Sequence, residues 1–154
     1  MADSPETAPY LSTMSIRFPS THAYQVVASM GLVGMALIHL LDTPSKFSET
    51  PYQGVGFVAL IIASLVLADL LLRSDSPLVW GLAAIVAGLT ILGFVISRTA
   101  GLPQAPADDI GNWGEPLGLA SLFVEGTVVW LAIQRLRLGA TIPTADRSTS
   151  AAAR

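Results

Sequence analysis

The 154-residue chain is 52% hydrophobic and only 12% charged, against the roughly 25% charged residues of a soluble domain. It cannot cover its surface with polar groups, which makes membrane the first class to test. A net charge of -3 and a pI near 5.1 leave no basic footprint for nucleic acid, and the lack of cysteine excludes disulfides, thiolate nucleophiles and cysteine-ligated metal or iron–sulfur sites.

In chain order, residues 1–20 are polar, contain Pro5, Pro9 and Pro19, and lack a basic n-region and a small-residue cleavage site. They read as a surface tail and not as a signal peptide. Ser20-Thr21 offers a helix N-cap, and His22–Leu41 is a nearly unbroken apolar run. Twenty helical residues rise about 30 Å, the thickness of a bilayer's hydrocarbon core. Asp42-Thr43-Pro44 is expected to stop this first span, leaving a short loop to Glu49.

Thr50-Pro51 starts a second span over 52–72, with threonine as cap and proline at the first helical position, where its missing N–H is harmless. Ser76-Pro77 repeats the signal for a third span over 77–97, which carries no charge. Gly101 is expected to close that helix in the left-handed conformation, with Pro103 preventing continuation. Asn112-Trp113-Gly114-Glu115 matches a capping box before a fourth span over 116–134. Residues 138–154 read as a disordered tail. The expected fold is therefore all-α: an integral membrane four-helix bundle over residues 21–137, with short loops and disordered ends.

Four spans put both termini on one side. Arg17, Arg73, Arg135, Arg137, Arg147 and Arg154 fall there, against Lys46 and Arg98 opposite. That bias predicts cytoplasmic termini and outward-facing first and third loops. Small residues recur at helical spacing (Gly31 and Gly34, Ala59 and Ala63, Gly81, Ala84 and Gly88, Gly114 and Gly118), as close helix packing in lipid requires.

The stretch Asp108–Gly126 concentrates the chemistry. Glu125 lies about 14 Å into the fourth span, where an acidic side chain costs on the order of 2.5–3.5 kcal/mol and must face the bundle interior. Ser121, Gly118 and Gly114 share its face. Two roles compete for Glu125: an interhelical hydrogen bond, the commoner use, and a protonatable ligand for a bound or transported species. His39 and Asp42 share a face at the outer end of the first span. With Arg98 and the acidic third loop (Asp108, Asp109, Trp113, Glu115) they are expected to form a polar outer cluster. Helix-end capping is preferred there over a metal or quinone-headgroup site.

Haem has no support within one subunit, because His22 and His39 lie about 25 Å apart along one helix. Asp69 and Arg73 read as an i,i+4 pair, Trp80, Trp113 and Trp130 as interfacial anchors, and Met30 and Met35 as core filler. No phosphate-cradling loop, nucleophile elbow or catalytic triad is present, so an enzyme is the weakest class.

The segments His39-Leu40-Leu41-Asp42, Glu49-Thr50-Pro51-Tyr52, Ser97–Pro103 and Asp108–Gly118 together resemble the uncharacterised small four-span integral membrane proteins of actinobacteria, over about residues 22–135. The resemblance implies the architecture and a bacterial cell membrane, and brings no activity. Three functions follow as expectations. The first is an accessory or interaction subunit of a membrane complex, with the lipid bilayer and other membrane subunits or further copies as partners. The second is a proton-linked carrier using Glu125, and the third a metal or redox-cofactor protein using His39.

Overall fold

A computed structural model describes residues 21–140; residues 1–20 and 141–154 of the predicted tails lie outside them, whereas residues 138–140, expected to be disordered, are helical. The elements are α1 (Thr21–Glu49), α2 (Pro51–Arg73), α3 (Pro77–Thr99), a one-turn 3-10 helix (Ala107–Asp109) and α4 (Pro116–Ala140), with no strand among the described residues. All four α-helices are long and apolar enough to cross a membrane.

Proline sets three of the four helix starts: Pro51, Pro77 and Pro116 are each the first helical residue. Thr50 and Ser76 stand at the expected cap positions, yet neither side chain caps its helix. The preset φ of proline and its missing N–H define these starts without a hydroxyl. α3 ends as its sequence predicts. Gly101 has φ +78, and the N–H groups of Ala100 and Gly101 both donate to the Ile96 carbonyl at 3.0 Å.

Two expected boundaries are corrected. Pro44 does not stop α1, which continues to Glu49 with the proline inside it. Proline removes one helical N–H, but hydroxyls bond carbonyls around it: Thr43 to His39 (2.6 Å), Ser45 to Asp42 (2.8 Å) and Ser48 to Ser45 (2.7 Å). Phe47 on the added turn also lies against Gly54, where a Cβ would fall 2.6 Å from its ring. α4 likewise runs beyond Gln134 to Ala140. Its Arg135 reaches Asp75 in the turn between α2 and α3, with Nε donating to Oδ1 at 2.9 Å and Nη2 to Oδ2. The capping box is absent as well. Among the described residues Asn112 makes no side-chain bond to α4, and the Glu115 carboxylate turns to Arg98.

Around the bundle the order is α2, α1, α4, α3. Packing is most extensive between α1 and α2, substantial for α3 with α4 and α1 with α4, and sparse between α2 and α3. The buried core, including Leu32, Met35, Leu71, Trp80, Ala87 and Val128, fills the half of the bundle nearest the α2–α3 turn. There Ser29 donates to the Ala68 carbonyl (3.0 Å) and Gln25 to the Leu71 carbonyl (2.9 Å), the interhelical bonds expected in lipid. Gly31 seats Val128, and Gly118 seats the Phe94 ring, at distances that a Cβ would close to 2.7 and 2.5 Å. Gly81, Gly88 and Gly114 have no such neighbour. They are not close-packing points.

Trp80 is not an interfacial anchor. It is 1% exposed, and its indole N–H donates to Asp75 Oδ1 at 2.9 Å. Trp113 and Trp130 are exposed, Met35 is core, and Met30 faces outward. Asp69 and Arg73 form the expected i,i+4 pair on the surface.

The Arg135 hydrogen bonds hold the Asp75 carboxyl below its ordinary value of 3.8, against a smaller opposing effect of burial. A depressed folded-state pKa stabilises the fold fully above the unfolded value, and the contribution disappears as pH falls through the folded one. Asp75→Asn should therefore lower stability by about 1 kcal/mol at neutral pH. Thermal midpoints of the two proteins should converge as the pH drops below the ordinary carboxylate range.

Candidate intramembrane binding site

The half of the bundle opposite the core is open. A three-residue turn ties α2 to α3 at the core end, whereas at the other end the start of α2 reaches only the loop that follows α3, through the Tyr52 hydroxyl. Between them lies a cavity of about 570 Å³, inside the roughly 300–1,000 Å³ range of small-molecule sites. Its walls are α2 and α3, its back is α1 and α4, and most of its lining is apolar.

The back of the cavity carries His39 and Glu125. Glu125 is fully buried, accepts a 2.6 Å bond from Ser121 Oγ at Oε1, and has no partner for Oε2. His39 is 6% exposed, with Nδ1 2.9 Å from the Met35 carbonyl. A carbonyl can only accept, so Nδ1 carries the proton there. The other ring nitrogen, Nε2, stands 3.9 Å from Glu125 Oε1, too far for a direct hydrogen bond. The Phe57 ring meets the imidazole edge to face at 4.7 Å. The expected sharing of a face by Ser121 and Glu125 is thus present, but Glu125 bonds within its own helix and not across to another.

The mouth is built on Arg98, which is 5% exposed at the end of α3. Its guanidinium pairs with Asp109 and Glu115, lies 5.0 Å over the Phe94 ring, and leaves Nε buried without a partner. The Gly111 N–H donates to the Arg98 carbonyl at 2.8 Å, so one residue holds both the third loop and the start of α4. Trp113 packs edge-on against Phe94 at 6.0 Å. Tyr52 donates to the Pro103 carbonyl at 2.5 Å and ties the start of α2 to the same loop.

The single outer cluster expected from sequence is therefore divided. Arg98, Asp109, Glu115 and Trp113 do assemble at the mouth. His39 leaves that group, because a helical side chain leans toward its own N-terminus and here meets Glu125 in the bundle. Asp42 stays on the cavity wall, bonded to Ser45 Oγ at 2.8 Å. Asp108 is exposed on the 3-10 helix and is not part of the cavity lining. Gln53, Gly56, Phe57, Gly93 and Phe94 line the cavity and carry no sequence signal of that role. Among the described residues no three His, Asp or Glu side chains converge as a metal site.

The fold and this cavity define a helical bundle with four potential membrane spans and a ligand-sized space between two of them. No protein-family model, curated protein or solved structure matches the chain. The geometry of the site carries the functional argument alone.

Proposed function

We propose that the protein is a small integral membrane protein that binds a lipophilic small molecule within the bilayer, as an accessory or binding component of a larger membrane assembly. The observation that carries this reading is the apolar cavity between α2 and α3, with the unpartnered Glu125 Oε2 at its back. Such a space suits a ligand that arrives through lipid and is fixed by a few polar contacts.

The reading places the protein in a bacterial cytoplasmic membrane, in keeping with the resemblance to actinobacterial four-span proteins. Arg73, Arg135 and Arg137 cluster at the core end of the bundle, which supports cytoplasmic termini, with the Arg98 mouth facing outward. A proton-linked carrier built on Glu125 and His39 is the second reading, favoured by their proximity across α1 and α4. The packed core around Leu32, Leu71 and Trp80 closes the bundle beneath the cavity, which favours binding over passage.

A photoreactive long-chain alcohol incorporated into membranes tests the proposal. Adducts should concentrate on the cavity-facing residues of α2 and α3, Phe57 and Phe94 among them, and excess unlabelled alcohol should compete them away. Labelling confined to outward-facing positions such as Met30, Leu78 and Phe123, with no competition, would overturn it.

A further inference from the structure

Three buried polar atoms without partners belong to residues that line this one cavity: Glu125 Oε2, Gln53 Nε2 and Arg98 Nε. Buried polar atoms are nearly always paired in native proteins, so three orphans on residues of one cavity point to an occupant that they meet by a turn of their side chains. Arg98 Nε and Gln53 Nε2 are donors, and the ligand must therefore bring acceptors. A Glu125 carboxyl with its proton on Oε2 is a third donor.

Shape narrows the class further. Gly56 on α2 and Gly93 on α3 lie about equally far from the mouth-side ends of their helices, and a Cβ on either would meet no atom within 4 Å. The adjoining Phe57 and Phe94 also line the cavity. The gap is thus bounded by bare backbone and aromatic rings, which suits a flat ring. The depth of the cavity, near Ala63, Val86 and Leu89, is apolar and adjoins the sparsely packed α2–α3 seam, where a hydrocarbon tail can leave for the lipid.

Charged headgroups fit less well. A carboxylate or phosphate would face Glu125, while of the two cations that line the cavity the Arg98 guanidinium is committed to Asp109 and Glu115 and the Lys46 ammonium to Glu49. An amine would meet two donors, and of the four carboxylates that line the cavity Asp109 and Glu115 are paired with Arg98 and Asp42 is bonded to Ser45, which leaves only Glu125 for it.

We propose that the cavity binds the headgroup of a membrane quinone: a neutral ring between Gly56 and Gly93, one carbonyl oxygen accepting from Glu125 beside His39, the other accepting from Gln53 and Arg98 Nε. This assignment rests on the reading of the cavity as a lipophile site.

The test uses the purified full-length protein and a decyl-substituted benzoquinone, read by quenching of tryptophan fluorescence. Trp113 lies against Phe94 at the mouth, so quenching should saturate and should be lost in Trp113→Phe. Glu125→Gln keeps a donor and should bind within a few-fold of wild type. Glu125→Leu and Gln53→Leu should each weaken binding by about tenfold, as expected for a lost buried hydrogen bond. If Glu125→Leu loses its helical circular dichroism, the contrast between Glu125→Gln and Gln53→Leu decides the matter. Equal binding by the wild type, Glu125→Gln and Gln53→Leu would overturn the assignment. Displacement of the photoreactive alcohol by decanol or decylamine but not by the quinone would overturn it too, and would leave the lipophile site standing. Failure of every one of these compounds to displace the alcohol would remove both.

Discussion

Gly93→Leu should abolish ligand uptake and leave the bundle folded. The glycine lines the cavity, and a Cβ built on it finds no atom within 4 Å. A leucine side chain therefore enters the space that the ligand needs without striking a helix. Leucine also favours helix over glycine by about 0.5–1 kcal/mol, so the thermal midpoint should hold or rise slightly. Photolabelling of the cavity wall should fall at least about tenfold, the effect of losing roughly 1.4 kcal/mol of binding. Gly118→Leu makes the contrast, because its Cβ would fall 2.5 Å from the Phe94 ring and must displace it. That variant should lose stability along with binding. Unchanged labelling in a folded Gly93→Leu protein would mean that the alcohol sits elsewhere.

Arg98→Leu should be the most destabilising single change at the mouth. Removing one partner of a buried ion pair costs about 3–5 kcal/mol, because the remaining charge is left without compensation. Here two carboxylates are orphaned, but the side chains of Asp109 and Glu115 keep 20% and 32% of their exposure, which places the loss near the lower figure, about 3 kcal/mol. Arg98→Lys should recover less than half of it, since a compact ammonium lacks the planar fork that spans two carboxylates. Thermal unfolding in detergent measures both. Protease sensitivity of the loop from Pro103 to Gly114 should rise in step, because Arg98 ties that loop to the start of α4. A stability for Arg98→Leu within about 0.5 kcal/mol of wild type, the range of an ordinary surface change, would show the network to be ornamental.

Much of this fold is legible in the chain. Four apolar runs of sufficient length, prolines 51, 77 and 116 and the glycine at 101 place the helices, since these residues act locally through φ and a missing N–H. The pairing of Arg98 with the acidic third loop is legible for a similar reason: few charges exist to be paired. Pro44 misleads because the loss of one helical N–H does not end a helix whose adjoining turns are held by other bonds, as the Thr43 and Ser45 hydroxyls hold the His39 and Asp42 carbonyls. Trp80 misleads because an indole near a helix end suits either the lipid interface or the core, and Asp75 decides between them.

The site is less legible, for a reason particular to membranes. In water an apolar stripe marks the buried face of a helix, but in lipid the outward and inward faces are both apolar. Nothing in the sequence therefore tells that Gly56 on α2 and Gly93 on α3 border a cavity while Gly31 on α1 seats a valine. The approach of His39 to Glu125 depends on how deep α1 and α4 stand relative to each other, a tertiary quantity. Glu125 itself stands out, because a carboxyl group at that depth needs a reason. The structure supplies half of that reason in Ser121, and the unpartnered oxygen leaves the other half to a ligand.

Native mass spectrometry of the protein released from membranes tests the central claim most directly. The wild type should appear with the added mass of one lipophilic molecule per chain, and Gly93→Leu should appear as the bare polypeptide. A wild-type spectrum showing only the bare chain under conditions that preserve bound lipid, or the same adduct on both proteins, would contradict the account.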